Sequence, residues 1–296
     1  MGLHDDEPDV DVDLVRRMVD RAMPHWSSLP LRELAATGTD HHLFRLGDDL
    51  VVRVPRVDWA IDQVERDARW LPVIAPYVDV ALPLQVAAGD PDLGYPWRWS
   101  VCRWIAGRTP DRRDPHDRAA LAEPLGRFCR ALHGIPVDGG PRAGVEVSRG
   151  VPLVERDELT REAIDAVADE LHAPSLRGAW EESLGAPAYD GEGVWFHGDL
   201  LWGNLIVNDD GLVGVIDWGP SGIGDPATDA AAGWALLTAD ERDAFRRAAA
   251  YDDATWLRGR GWALSTALVA LPYYRARSRA LADGARRTIA EVLADS

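Results

Sequence analysis

Three oxygen-bearing side chains lie close together in the sequence and could act on a phosphorylated substrate. Asp199 and Asn204 lie in the segment FHGDLLWGN, and Asp217 follows in the segment VIDWG. Carboxylate and carboxamide oxygens are ligands that Mg²⁺ accepts together with nucleotide phosphates. A carboxylate that stays off the metal can orient a hydroxyl nucleophile and accept its proton. The residue types therefore predict metal-dependent chemistry on a phosphate.

A strand, a turn and a second strand separate the two segments. Leu205–Val207 and Leu212–Ile216 are short apolar runs, and Asn208–Gly211 between them is rich in turn-forming residues. This pattern predicts a β-hairpin. Because a hairpin returns the chain to its starting point, we expect the three oxygen-bearing side chains to meet at one end of it.

The composition restricts which cations can meet a phosphate. The chain has 296 residues and a net charge of −17, and all 32 of its basic residues are arginine. Any cation at a phosphate must therefore be an arginine or a metal ion. The acidic balance disfavours nucleic acid as a partner and would attract a polycationic small molecule.

No feature of the sequence indicates export or a membrane. The two cysteines, Cys102 and Cys129, have neither metal-site nor disulfide spacing. The first residues are too acidic for a signal peptide, and no window of about 18 apolar residues lacks charge. We expect a cytoplasmic protein that does not bind membranes. The sequence leaves its oligomeric state open.

The periodicities predict an α+β protein with two lobes. A helix over 14–22 and a helix over 61–71 ending near Pro72 accompany strands over 43–46, 50–54, 80–88 and 99–105. Helical patterns follow at 121–132, with a kink at Pro124, then at 159–171 and 230–294. A long loop over 134–150 interrupts them. The predicted parts are an N-lobe over 1–102, a hinge over 103–107 and a helical C-lobe over 108–296, with the active site in the cleft.

The motifs resemble those of the aminoglycoside phosphotransferase family, relatives of the protein kinases. That family has HGD followed by an asparagine, then a hydrophobic residue with Asp-Trp, then GxGDP. Here these are His197–Asp199 with Asn204, Ile216–Trp218 and Gly222–Pro226. The resemblance runs from about residue 31 to residue 274. It implies a protein-kinase-like fold and transfer of the γ-phosphate of ATP, or of GTP, with Mg²⁺ to a small-molecule hydroxyl. An aminoglycoside-like acceptor is the family's implication.

The resemblance also implies a role for each motif residue. Asp199 would orient the acceptor hydroxyl and take its proton, while Asn204 and Asp217 would ligate Mg²⁺. His197 would brace the loop. Two further aspartates are expected to cap the helix that begins near Pro226, namely Asp225 and Asp229.

In the N-lobe, the resemblance places Arg53 on the third strand as the cation for the nucleotide phosphates. Its acidic partner is expected on the helix over 61–71, where helical geometry allows Asp67 or Glu65. The family pattern favours Asp67. Gly38 and Thr39, in the loop between the first two strands, would contact the phosphates.

Other implied contacts involve both substrates. The adenine would contact the backbone between Arg103 and Ile105, with Cys102 lining the back of that cavity. Trp202, inside the catalytic loop, is expected beside the acceptor. The candidate carboxylates for binding acceptor amines are Asp157, Glu158, Glu181, Glu182 and Asp190.

Three alternatives remain at this point. The acceptor could be another small alcohol, such as a macrolide, a sugar or a metabolite. A nucleotide-binding pseudokinase would have lost Asp199, Asn204 or Asp217, and all three are present. A metal-dependent hydrolase would need closely spaced histidine ligands, for which the adjacent His41 and His42 have poor geometry.

Overall fold

A computed structural model describes residues 8–34 and 40–295. Nine strands are found in these ranges: β1 Leu31–Glu33, β2 His41–Leu46, β3 Leu50–Pro55, β4 Gln85–Gly89, β5 Trp99–Arg103, β6 Val194–Phe196, β7 Leu205–Asn208, β8 Gly211–Val215 and β9 Gly222–Gly224. Ten α-helices accompany them: α1 Val12–Ala22, α2 Gln63–Ile74, α3 Pro115–His133, α4 Asp157–Ala166, α5 Ala173–Leu184, α6 Ala227–Ala230, α7 Ala232–Leu236, α8 Ala239–Ala249, α9 Asp253–Tyr274 and α10 Arg279–Ala294. None of these helices combines the length and apolarity that a bilayer crossing needs.

An antiparallel sheet of five strands forms the first third of the chain. Its strand order is β1-β2-β3-β5-β4, so β3 is central. The hairpin of β2 and β3 turns at Gly47, whose φ of 58° suits a residue without a side chain. All six residues of β3 are buried. The central strand therefore carries Arg53 into the interior between apolar neighbours.

Two predicted boundaries in this sheet-rich part were wrong. Helix α2 continues through Pro72 to Ile74, because Leu71 and Ile74 are both buried against the core and outweigh one missing backbone donor. The strand predicted over 80–88 is limited to β4. Residues before β4 instead lie against the β7–β8 hairpin.

The remainder of the chain is mainly helical and has two apolar cores. In the first, α3 and α8 pack with the β7–β8 hairpin around buried residues that include Leu125, Trp218 and Phe245. In the second, α4, α5, α9 and α10 enclose Trp180 and Trp262. Pro124 lies inside a continuous α3. The predicted α+β class, with a sheet-rich part followed by a helical part, is confirmed.

The β7–β8 hairpin is bonded to chain segments on both sides of the predicted hinge. Ala81 donates its N–H to Val213 O at 2.8 Å and accepts from Val215 N at 3.1 Å. Arg108 donates to Val207 O at 2.9 Å and accepts from Val207 N at 2.8 Å. The hairpin thus contacts the sheet-rich part through β8 and the start of the helical part through β7.

Candidate active site

Two adjoining cavities open between the sheet and the helical part. One, of about 350 Å³, lies beneath β2 and β3. The other, of about 680 Å³, extends toward the end of α9. Four residues line both cavities, namely Asp40, Gly203, Asn204 and Asp217. The predicted metal ligands therefore lie where the two cavities meet.

The catalytic loop is held by buried hydrogen bonds. Gly198 has a φ of 82°, a conformation that favours glycine. The Asp229 carboxylate accepts from Gly198 N at 2.8 Å and from His197 N at 3.0 Å, and it also pairs with His133 Nε2 at 3.1 Å. Asp225 accepts from the Ala227 N–H at the start of α6, as a cap should. The capping role expected for Asp229 was wrong, because its carboxylate turns back to the loop.

His197 is fully buried and joins the catalytic loop to the hairpin. Its Nδ1 accepts from Asp199 N at 3.2 Å, which requires Nε2 to carry the proton. That Nε2 donates to Ile216 O at 3.1 Å. Burial lowers the pKa of His197, with Asp229 and Asp217 opposing the shift. The imidazole is therefore a neutral brace between Asp199 and Asp217.

Asp199 lies at the base of the larger cavity. Asn204 Nδ2 donates to the carboxylate of Asp199 at 2.9 Å and to its carbonyl oxygen at 2.8 Å. Arg149 Nη2 is 4.0 Å from Asp199 Oδ1. Burial raises the pKa of Asp199 to about 6, partly opposed by Arg149 and reinforced by Asp217. The Asp199 side chain is therefore fixed in position and is mostly ionised at neutral pH.

Asn204 and Asp217 present the donor types that Mg²⁺ uses. The Asn204 side chain donates to Asp199 through its Nδ2, and no described residue donates a hydrogen bond to its Oδ1. Asp217 has a φ of 64°, a rare conformation for a residue with a side chain. Ile216 N donates to Asn204 O at 2.9 Å and holds the two residues side by side. The side-chain oxygens of Asn204 and Asp217 could bind a Mg²⁺ ion whose remaining ligands are phosphate oxygens. Within the described ranges, no three His, Cys, Asp or Glu side chains are grouped as a metal cage.

Arg53 forms an ion pair with Asp67 inside the N-terminal part. The Arg53 Nη1 to Asp67 Oδ2 distance is 2.8 Å, and the two side chains are 10% and 4% exposed. Burial alone would lower the pKa of Arg53, but Asp67, Cys102 and Asp217 together outweigh burial and raise it. Glu65 lies on the surface and pairs with Arg98 instead. The partner that helical geometry left open is therefore Asp67.

Gln63 connects the Arg53–Asp67 ion pair to the segment around Asp217. With its amide oriented to satisfy its neighbours, the Gln63 oxygen accepts from Arg53 Nη2 and from Gly219 N, each at 3.0 Å. The side chain is buried at the start of α2. Sequence reasoning missed Gln63, and the short distance from Asp67 along the same helix was the only available signal. The contact links the Arg53–Asp67 pair to the Asp217 loop.

The smaller cavity is lined mainly by apolar residues and reaches the predicted hinge over 103–107. Arg103 and Ile105 line it, opposite Ile206 and Ile216. The N–H groups of Arg103 and Trp104 bond to Leu84 O and Asp49 O, whereas the Ile105 N–H has no acceptor among the described residues. Cys102 was wrongly expected in the lining, because its thiol is buried beside Ser100. Gly38 and Thr39 lie outside the described residues.

The larger cavity differs from the expectations for an amine-binding site. Trp202 packs against the core of the helical part and does not line this cavity. None of the five carboxylates proposed for amine binding lines it either. The wall instead includes Arg149, Tyr273 and Tyr274. Sequence reasoning missed these residues because they come from a loop and a helix end more than 100 positions apart.

Comparisons with known proteins concern the family and the fold of this chain. The model of the phosphotransferase enzyme family matches residues 32–262. An aminoglycoside 3'-phosphotransferase of Salmonella typhimurium is 30% identical over 144 residues, which are 47% of this chain and 52% of that protein. The match therefore spans about half the length of this curated relative.

Solved structures extend the likeness in fold to nearly the whole chain. The GDP and kanamycin complex of APH(2'')-IIIa superposes with a TM-score of 0.72 at 20% identity, covering 97% of this chain and 100% of that one. A macrolide 2'-phosphotransferase from Brachybacterium faecium gives a TM-score of 0.61 at 23% identity, covering 94% and 97%. The match to the family model, which covers most of the chain, shows that this protein belongs to the phosphotransferase enzyme family.

Proposed function

We propose that this protein transfers the γ-phosphate of ATP to a hydroxyl group of a small molecule, with Mg²⁺ as cofactor. The observation that carries the proposal is the double role of Asn204. Its amide N–H group holds Asp199 through one hydrogen bond to the carboxylate and one to the backbone carbonyl, and its side-chain oxygen, Oδ1, remains available next to Asp217. The Asn204 side chain thus connects Asp199, the proposed proton acceptor, to the proposed metal site at Asp217. Phosphoryl transfer to an alcohol requires both groups.

Asp199 has the surroundings of a group that positions a hydroxyl. Its hydrogen bonds hold the carboxylate at the cavity base, and its side chain keeps 22% exposure. The acceptor hydroxyl would donate to this carboxylate and transfer its proton as the new P–O bond forms. Positioning contributes more than basicity if the transition state is loose.

The nucleotide side relies on a small set of groups. Asn204 and Asp217 would hold Mg²⁺, which supplies charge neutralisation at the phosphate oxygens. Arg53, held by Asp67, would bind the phosphates through its guanidinium fork. The Ile105 N–H and the backbone at Arg103 would meet the edge of the base. These contacts suit adenine, and GTP is the alternative donor.

The named relatives supply reference acceptors. A solved relative is described with kanamycin and another acts as a macrolide 2'-phosphotransferase. For this chain, the proposal requires only a small alcohol that enters the 680 Å³ cavity. A non-catalytic nucleotide-binding role is the rival, and the assembled Asp199, Asn204 and Asp217 favour catalysis.

The experiment measures Mg²⁺-dependent ADP release across aminoglycosides, macrolides, sugars and amino alcohols. Asp199→Asn should lower kcat by about 10²- to 10⁴-fold and leave the nucleotide Kd nearly unchanged. Asp217→Asn should weaken nucleotide binding only when Mg²⁺ is present. Turnover by Asp199→Asn equal to that of wild type would refute the assignment. Asp169→Asn, which changes an exposed carboxylate far from the cavities, is the control.

A further inference from the structure

The wall of the larger cavity combines three guanidinium groups with four carboxylates. The chain has a net charge of −17. Even so, three guanidinium groups line this cavity, those of Arg66, Arg149 and Arg277. An acidic surface was expected to favour a polycationic acceptor. The local charges next to the proposed acceptor site indicate a different ligand.

Arg149 is the guanidinium closest to the proposed chemistry. Its Nη1 donates to Thr266 Oγ1 at 3.3 Å, which anchors the side chain against α9. Its Nη2 lies 4.0 Å from Asp199 Oδ1, which is too long for a hydrogen bond. The side chain is 23% exposed. Arg149 therefore presents an anchored charge to the cavity with no carboxylate within hydrogen-bond distance.

A second arginine behind Arg149 adds to the positive field. Arg156 is buried and donates to Ser265 Oγ at 2.9 Å, and its guanidinium lies 4.6 Å from the centre of the Trp262 ring. Burial lowers the pKa of Arg156 to about 10, and the charge of Arg149 adds to this effect. No carboxylate pairs with Arg156 among the described residues.

The other two guanidiniums lie on different walls. Arg277 is exposed, donates to Tyr273 O at 2.9 Å and lies 4.3 Å from the centre of that ring. Arg66, on α2, is half-buried, and no described residue forms a hydrogen bond or ion pair with its guanidinium group. Guanidinium groups are suited to bidentate contacts with carboxylate and phosphate. The cavity lining therefore includes three groups that can bind an anion.

The carboxylates of this cavity do not form an amine-binding set. Asp199 and Asp217 have the proposed roles in hydroxyl and metal binding. Glu146 accepts from Arg142 N at 2.5 Å. Asp40 lies at the boundary with the smaller cavity, which it also lines. A polyamine in the larger cavity would lie beside three guanidinium groups as well as these four carboxylates, and like charges at short range oppose its binding.

We infer that the acceptor carries an anionic group, a carboxylate or a phosphate, which Arg149 binds near the reacting hydroxyl and Arg277 helps to hold. This inference rests on the proposed function, because it concerns the acceptor of that reaction. Tyr273 and Tyr274 supply aromatic faces for the body of the acceptor. Arg149 is then a specificity residue, and its neighbour Asp199 orients the hydroxyl.

The test compares acceptors that share hydroxyl groups and differ in charge. ADP release is measured with glucose, glucosamine, glucuronate, glucose 6-phosphate and kanamycin, and then with a wider set of small alcohols sorted by charge. We expect the highest kcat/KM within the anionic class. Glucuronate and glucose 6-phosphate distinguish a carboxylate from a phosphate as the bound group.

Variants connect that preference to the residues. The assays are run well above pH 6, because the loss of the Arg149 charge raises the pKa of Asp199 further. Under these conditions Arg149→Gln should raise KM for anionic acceptors by about 10- to 100-fold, since a charge-assisted hydrogen bond is lost, and should leave kcat largely unchanged. Arg277→Gln should have a smaller effect in the same direction. Arg127→Gln removes an exposed arginine that pairs with Glu123 outside both cavities, and it should change nothing.

Several outcomes would overturn the inference. The first is a preference for kanamycin or glucosamine that becomes stronger in Arg149→Gln. The second is a fall in kcat of Arg149→Gln that is equal for every acceptor class. The second result would place Arg149 on the transferring phosphate. If no compound supports Asp199-dependent turnover, the proposed function fails separately. Calorimetric titration of glucuronate, glucose 6-phosphate and glucose into the wild-type protein and Arg149→Gln, with a non-hydrolysable ATP analogue and Mg²⁺ bound, then decides the inference by itself.

Discussion

The Nη1 atom of Arg53 lies 2.8 Å from the Oδ2 atom of Asp67, and both side chains are buried. Glu65, two positions earlier on α2, is 70% exposed and pairs with Arg98 at the surface. The two acidic residues therefore provide a matched comparison on one helix. A buried ion pair that loses one partner leaves an uncompensated charge inside the protein.

We expect Asp67→Ala to lower the free energy of unfolding by about 3–5 kcal/mol and to raise the nucleotide KM. Glu65→Ala should change either quantity only slightly, because an exposed ion pair contributes about 1 kcal/mol at most. Urea unfolding and ADP-release kinetics measure the two effects. Equal effects of the two variants would show that Asp67 does not hold Arg53 in place.

Asp229 provides a test of how the catalytic loop is held. Its carboxylate accepts from the backbone of His197 and Gly198. In Asp229→Asn, an amide group would face N–H donors, so a buried donor would lose its partner. We expect a loss of about 1–3 kcal/mol in unfolding free energy and a lower kcat with an unchanged nucleotide Kd. If kcat matched that of Asp169→Asn, the loop would not depend on this carboxylate.

Two substitutions of Asp217 separate the effect of its charge from the effect of its backbone conformation. Asparagine adopts positive φ more readily than alanine does, so Asp217→Asn should keep the fold. Asp217→Ala should be less stable than Asp217→Asn by about 1 kcal/mol. Both should lose the Mg²⁺-dependent part of nucleotide affinity. Thermal unfolding, combined with nucleotide titrations with and without Mg²⁺, gives the comparison, and a Mg²⁺ dependence retained by Asp217→Asn would contradict the ligand role.

The Arg108–Asp117 pair predicts a dependence of stability on pH. Two hydrogen bonds from Arg108 lower the pKa of Asp117 to about 2, partly offset by burial. The unfolded chain has the ordinary value of about 3.9, so the stabilisation is present above about pH 4 and is lost as the pH falls toward 2. After discounting for the exposure of Arg108, we expect Asp117→Asn to cost about 1–2 kcal/mol at pH 7.

Urea unfolding from pH 7 down to pH 3 measures this effect. The difference between wild type and Asp117→Asn should stay constant to about pH 4 and then narrow. Asp243→Asn, an exposed position on α8, should show no such difference. A gap that persists unchanged at pH 3 would mean that the carboxylate is not the titrating group.

The sequence predicted the catalytic hairpin because local patterns determine it. Two short apolar runs and the turn-rich segment between them predicted β7 and β8, and the hairpin brings Asn204 and Asp217 together. The choice between Asp67 and Glu65 could not be made locally. Both flank the apolar face of α2, and only packing against β3 buries one of them.

The acceptor wall was predicted least well. Arg149 comes from an irregular loop, and Tyr274 from the last residue of α9. Neither position has a periodicity that indicates its direction. Acidic residues on helices looked suitable for amines, but helix packing turned them elsewhere. For example, Glu182 pairs with Arg260. Long-range packing, rather than local propensity, determined the charge of this cavity.

The backbone bonds of Ala81 and Arg108 to the β7–β8 hairpin have a mechanical consequence. Four hydrogen bonds clamp one hairpin to segments that precede and follow residues 103–107. A wide rotation of the sheet about those residues would have to break the pair at Ala81. Small rotations would instead carry the hairpin with them, together with Asn204 and Asp217. Only small rotations of the sheet are therefore compatible with these hydrogen bonds. During such rotations Asn204 and Asp217, the proposed metal-binding residues, would keep their spacing.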